Sequence, residues 1–170
     1  LGFVKKVKHK VTEKIKAIKI IKKELIETEE EETLIFKELG LLRTNDHQNI
    51  IKLYDFYKDE KYFYLISEYC EHNNLFKLIK KYENGLNEIT VSYIIRQILS
   101  ALSYIHSINI INRDIRLENI LIESKEINVV NGNEIEFYNI RINDFKSSRS
   151  FSHRKKLNKK VGSPYYIAPE

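Results

Sequence analysis

The sequence contains no methionine, one cysteine, two prolines and five glycines in 170 residues. Each shortage excludes something. With Cys70 alone, no disulfide can close within the chain, and a reducing, intracellular and cytoplasmic setting is the natural expectation. Scarce proline and glycine leave no stretch that reads as a long flexible linker. No apolar run reaches the length of a membrane span. The best stretch, Tyr93 to Ile111, is interrupted by Arg96, Gln97 and His106. Because the chain lacks methionine and begins at Leu1, a piece of a longer protein is expected.

What is present points to a soluble domain with a real core. Hydrophobic residues make up 42% and charged residues 31%, outside the disordered range. The formal charge is +5, but the basic residues are scattered among acids, so no nucleic-acid partner is expected.

Lys alternates with Val, Ile or Ala over residues 3–21, a period-two pattern that predicts two half-buried strands joined near Thr12-Glu13. An acidic run from Glu27 to Glu32 leads into Leu34, Ile35, Leu39 and Leu42, whose spacing is helical. "NIIKLYDFYKDEKYFYLISEYC" reads as two strands around a turn at Lys58-Asp59-Glu60. "NNLFKLIKKY" predicts a short helix, and a long amphipathic one follows Asn87, a good N-cap, with Ile94, Ile98, Leu102 and Ile105 on one face. Strands come first with one helix among them, and helices later, which is an α+β order with a boundary near Glu68 to Glu71.

The chemistry concentrates in "INRDIRLENIL", Ile111 to Leu121. Its Ile and Leu frame predicts packing, and packed charges are costly unless paired or used. Asp114 and Asn119 sit inside it, and Asp144 ends a later apolar run in "INDF". If the three converge, one carboxylate can orient a hydroxyl. The other, with the amide oxygen, can hold Mg²⁺, which takes oxygen ligands and binds phosphates. Lys19 on a strand can reach phosphate oxygens if a carboxylate such as Glu38, on the first helix, fixes its ammonium.

"AIK" at Ala17 to Lys19, then Glu38, "NRDIRLEN", "NDF" and "GSPYYIAPE" occur in the order of the protein-kinase signature set. The chain thus resembles a eukaryotic protein kinase catalytic domain of the Ser/Thr type, most like the calcium/calmodulin- and calcium-dependent group. The resemblance implies a bilobal α+β fold, truncated at both ends. It divides as an N-lobe over 1–68, a hinge over 69–72 and a partial C-lobe over 73–170. It also implies ATP and Mg²⁺ as cofactors, and proteins as substrates. Calcium or calmodulin control is left open, since no EF-hand loop occurs.

By position, the resemblance implies that Lys19 contacts the ATP phosphates with Glu38 as its partner. Gly2 would be the last glycine of the phosphate-covering loop, Val4 and Ala17 would cover the adenine and Leu121 would lie below it. Glu68 and Cys70 would offer backbone groups to its edge, with Ser67 before them. Asp114 would orient the substrate hydroxyl, Asn119 and Asp144 would hold the metal, and Arg116 would stand for the usual catalytic-loop lysine. Arg113 would meet a phosphate or acid in the activation segment, and Phe145, Leu42, Leu53 and Asn112 would stack as a spine. Ser163 falls where the family has a hydroxyl near the catalytic Asp.

Several positions depart from the pattern. Asn112 replaces a histidine, Arg116 a lysine, and Lys146 the glycine after Asp-Phe. Residues 72–74 lack the acid that often reads ribose or a basic substrate residue. Phosphoryl transfer to Ser/Thr is the expected function, with a pseudokinase scaffold as the alternative that Lys146 favours. A small-molecule phosphotransferase is disfavoured by residues 162–170. Nucleic-acid binding through Arg154, Lys155, Lys156, Lys159 and Lys160 competes with a solvated loop, which is preferred.

Overall fold

A computed structural model describes residues 2–26, 28–44, 46–145, 147–151 and 162–167, apart from the side chains of residues 29–31, 34, 37, 38 and 41. The chain divides into two compact units, one of residues 1–46 and 51–69, the other of 47–50 and 70–170. A single cut near residue 68 misses the segment 47–50, which belongs with the second unit. The reason is a set of long-range bonds. Buried Asn49 donates through Nδ2 to Gln97 Oε1 (2.9 Å) and to the Ile140 carbonyl (3.1 Å), and Ile142 N–H donates to the Asn49 carbonyl (2.8 Å).

The first unit is a four-stranded antiparallel sheet in the order β1-β2-β4-β3. Its strands are β1 (Gly2–Lys8), β2 (Ile15–Lys22), β3 (Leu53–Lys58) and β4 (Tyr62–Ser67). The period-two patterns become strands because one face can be buried while lysine stems cover the other. Ile21, Leu53, Phe63 and Leu65 are the buried positions. Helix α1 (Glu29–Thr44) inserts Ile35, Leu39 and Leu42, and Phe36 meets the Phe56 and Phe63 rings edge-on at 6.1 and 6.2 Å. Asp59 builds the β3–β4 turn, its carboxylate accepting from Lys61 N–H (2.8 Å) and Tyr62 N–H (2.6 Å).

The second unit is built on α3 (Glu88–Ser107), started by the Asn87 side chain, which accepts from Ile89 N–H at 2.8 Å. Ile94, Ile98 and Ile105 are buried as their spacing requires. Ala101, not Leu102, is the fully buried residue between them. The short α2 (Leu75–Ile79) is capped by Asn74, which accepts from Lys77 N–H at 3.0 Å.

The main departure from the expected pattern is a long hairpin, β6 (Ile120–Val130) and β7 (Asn133–Ile142), where the sequence offers only short apolar runs. Its base is buried through Ile120, Ile122, Ile140 and Ile142, and α3 packs along β7. Its tip is the Asn131-Gly132 turn, both residues at positive φ (52° and 79°), the two-residue geometry that matches strand twist. Beside it, β5 (Ile110–Ile111) pairs with β8 (Arg149–Ser150). No helix among the described residues is long and apolar enough to cross a membrane.

Candidate active site

The candidate residues fall into two groups, one in each unit. In the first, strand register does the positioning. Val4 stands opposite Lys19 and Lys19 opposite Leu65, while Lys6, Ala17 and Ser67 form the next row. Directly paired residues share a face. Val4, Ala17 and Lys19 therefore lie on the sheet face that also carries Ile21 and Phe63, where α1 packs. Glu38 lies in α1, but its side chain is outside the described residues. Gly2 pairs with Ile21, and a Cβ there would fall 2.4 Å from the Ile20 carbonyl oxygen, so only glycine fits that approach without movement. Glu68 closes the unit, its carboxylate accepting from Lys52 N–H at 2.9 Å while its own N–H donates to the Lys52 carbonyl at 3.0 Å.

In the second unit, side-chain hydrogen bonds do the positioning. Cys70 is half-buried and forms no disulfide. The next residues lie along β6: His72 N–H donates to the Ile122 carbonyl and Ile122 N–H to the Asn73 carbonyl, while Asn74 bridges Leu121. Asn73 adopts φ 66° to make this fit.

The loop after β5 is fixed from both sides. Asn112, 2% exposed, accepts from Asp114 N–H at 2.9 Å and donates to the Asp144 carbonyl at 3.3 Å. The residue that replaces a histidine thus joins the two stretches that hold the candidate acids. A second tie is Asn143 N–H to the Asn119 carbonyl, 2.8 Å. Asn119 closes the 3-10 turn Leu117–Asn119 and spends its amide hydrogens on Asp114, donating to the carbonyl and to Oδ2 at 3.0 Å each. The other carboxylate oxygen, Oδ1, accepts from the Ser163 hydroxyl at 2.9 Å. The three residues Asp114, Asn119 and Asp144 are therefore brought together within one unit.

Two of these positions carry backbone strain. Arg113 (φ 66°) and Asp144 (φ 63°) sit in the left-handed region that non-glycine residues rarely adopt. Such residues cost of order 1–3 kcal/mol each and persist where the surroundings over-determine them. Gly162, at φ 134°, packs against the Arg113 carbonyl, 3.3 Å from where a Cβ would sit.

Arg116 is the most connected cation in the loop. It grips Glu118 with two nitrogens (Nε to Oε2 3.0 Å, Nη2 to Oε1 2.9 Å), donates through Nη1 to the Ser163 hydroxyl at 2.8 Å, and stands 5.9 Å from the Tyr166 ring centroid. A lysine would have offered a point charge; arginine's planar fork makes all these contacts at once. The Arg116 hydrogen bonds hold the Glu118 carboxyl down at about 2, helped by a backbone N–H. Arg113 donates through Nε to the Ser147 carbonyl at 2.8 Å, and its Nη1 is buried without a hydrogen-bond partner among the described residues. Burial, then the nearby Arg149, lowers its pKa, so an anion would be welcome there.

Phe145 and Asn112 are buried in the second unit, and Leu42 and Leu53 in the first. Lys146, the cluster Arg154 to Lys160 and the Ala-Pro-Glu end lie outside the described residues. Sequence reasoning missed Glu118 as the partner of Arg116. The two are two residues apart across a 3-10 turn, a spacing that carries no general pairing signal.

The oxygen set suits a hard cation. With its amide hydrogens committed to Asp114, Asn119 keeps Oδ1 as an oxygen donor, and Asp144 supplies a carboxylate. Among the described residues there is no cluster of three His, Cys, Asp or Glu to cage a metal alone. An amide oxygen and a carboxylate are the kind of donors that Mg²⁺ takes, through one or two protein oxygens plus phosphates and waters.

The loop thus sets an Asp and an Asn five residues apart and ties them to the stretch that holds a second Asp. The chain belongs to the protein kinase family: the protein kinase domain model matches residues 1–170. Among its relatives, calcium-dependent protein kinase 4 of Plasmodium falciparum is 38% identical over 154 residues, covering 91% of this chain and 28% of that protein. Calcium-dependent protein kinase 5 of Plasmodium berghei is 39% identical over 170 residues, 99% of this chain and 28% of that protein. The meiosis-specific serine/threonine-protein kinase mek1 of Schizosaccharomyces pombe is 37% identical over 156 residues, 91% and 32%. The chain thus spans less than a third of the length of these relatives.

Proposed function

We propose that the protein transfers the γ-phosphoryl group of ATP to serine or threonine hydroxyls of other proteins. The observation that carries this reading is the Ser163 hydroxyl on Asp114 Oδ1 at 2.9 Å, with the opposite oxygen fixed by Asn119. The carboxylate receives a hydroxyl in a fixed orientation, which is what a substrate serine needs before attack. Asp114 orients the substrate hydroxyl and takes its proton. Lys19 binds phosphate oxygens from its place on β2, while Val4 and Ala17 cover the adenine. Arg116 locks the loop to Ser163, Glu68 and Cys70 present backbone groups to the adenine edge, and Leu121 is an apolar contact for the adenine. Asn119 and Asp144 are the residues that would hold Mg²⁺, which neutralises phosphate charge when bound. Little covalent work remains for the protein beyond positioning and electrostatics.

The test is transfer of labelled phosphate from ATP to a Ser/Thr peptide library. Lys19→Ala should abolish both transfer and the melting shift given by Mg-ATP, which linkage puts at about 2.7 kcal/mol for ligand at about 100 times Kd. An undiminished shift in Lys19→Ala removes Lys19 from the site. The second reading, a pseudokinase scaffold, rests on Lys146 in place of glycine beside Asp144. It is favoured if Mg-ATP raises the melting temperature while no peptide is phosphorylated. Calcium control is proposed from the names of two relatives, and a chelator that leaves activity unchanged rules it out. A lone cysteine supports an intracellular setting.

A further inference from the structure

Phosphoryl transfer leaves one charge asymmetry unused. Residues 2–23 contain nine lysines and no arginine against a single acid, Glu13. Only Lys19 among them belongs to the proposed site. The charge is most accessible at the turn between β1 and β2, where every residue from Lys8 to Lys14 is exposed.

The turn is a built structure. His9 N–H donates to the Lys14 carbonyl (2.9 Å) and Glu13 N–H to the His9 carbonyl (2.8 Å), while His9 Nδ1 accepts from Thr12 N–H at 3.1 Å. Glu13 takes φ 58° and neutralises Lys8 across 2.9 Å. That leaves Lys10 and Lys14 without an acidic partner among the described residues, and between them stands Val11, 85% exposed. An aliphatic side chain held out at the apex of a fixed turn, between two unpaired ammonium groups, matches an interface that is apolar beneath and anionic on top.

We propose that this turn docks on an anionic lipid surface, with Val11 entering the headgroup layer and Lys10 and Lys14 lying on headgroup phosphates. Two observations favour lipid over nucleic acid. All the cations are lysine, a point charge suited to a diffuse anionic surface, whereas arginine's fork serves bidentate phosphate and base contacts. Two of the exposed rings that could stack on bases are already covered, Tyr54 by Lys16 at 4.4 Å and Phe3 by Lys5 at 5.4 Å.

The test is flotation of the intact protein with vesicles of phosphatidylcholine, with and without phosphatidylserine. Binding should require phosphatidylserine and weaken with salt. Lys10→Glu with Lys14→Glu should lose at least about 25-fold in affinity, at roughly fivefold per lysine. Val11→Asp should lose about fivefold. Lys58→Glu with Lys61→Glu, in the other turn of the same sheet, should bind as wild type, which separates a located site from net charge. The salt dependence and phosphatidylserine requirement of the wild type stand as the test should a turn variant fail to fold. Equal binding to neutral vesicles, or equal loss in both double variants, overturns the proposal. So does capture of single-stranded RNA through Lys10 and Lys14 with no vesicle binding, or salt-sensitive self-association that accounts for the signal.

Discussion

The candidate residues of the two units are held by different physics. In the first unit, Val4, Ala17 and Lys19 share a face because β1, β2 and β4 are in register, and backbone bonds repeated along the ladder fix that register. No single side chain is responsible for it. In the second unit, Asp114, Asn119 and Asp144 are held by individual side chains, by one buried asparagine, and by two residues in the left-handed region. A ladder spreads a perturbation over many bonds. A stitched loop concentrates it, so a single substitution in the second unit should cost far more.

The largest expected effect is on the reaction itself. Asp114→Asn keeps the shape of the loop but removes the base, and transfer should fall about 10³-fold or more while the Mg-ATP melting shift survives. Near wild-type turnover would remove Asp114 from its role. Asn112→Ala comes next. It strips two hydrogen bonds from a buried position and leaves the Asp114 N–H unpaired, which should cost about 2 kcal/mol or more in urea unfolding. A loss under about 0.5 kcal/mol would show that the stitch does not hold the loop.

Acid should probe the same stitching more gently. The Glu118 carboxyl has a folded value of about 2, below its ordinary 4.5, because Arg116 grips it. The stability it contributes is present above 4.5 and disappears as pH falls through about 2. Arg116→Gln should therefore flatten the fall in melting temperature across that window, relative to wild type. The smallest effect is in the first unit. Gly40 lies inside α1 with nothing within 4 Å of an added Cβ. Gly40→Ala should stabilise by about 0.5–1 kcal/mol through backbone entropy alone, with activity unchanged.

The same contrast decides what could be read from the sequence. Ladders and amphipathic helices announce themselves by period, so the four strands of the first sheet, α1 and α3 were all legible, down to the Asn87 cap. The order of the acidic and amide residues revealed the family. The contacts that place them were not legible. Nothing local marks Asn49 as a partner of Gln97 and Ile140, and nothing marks two charged residues as left-handed. The β6–β7 hairpin was missed for a different reason. Its outer half carries polar residues on both faces, which blurs the alternation, although Asn131-Gly132 was an available turn signal.

That hairpin also offers an experimental handle. A β-bulge between Ile122 and Ser124 separates its buried base from a β6 outer strand whose residues 125–129 are exposed. The tip at Asn131-Gly132 lies beyond both, on a ladder that runs continuously from Ser124 to Val130. A peptide tag or small reporter domain inserted there would lengthen a solvent-facing loop, a change whose entropic cost grows only slowly with length. The candidate residues Asn119 and Asp144, next to the far end of the same strands, would go undisturbed.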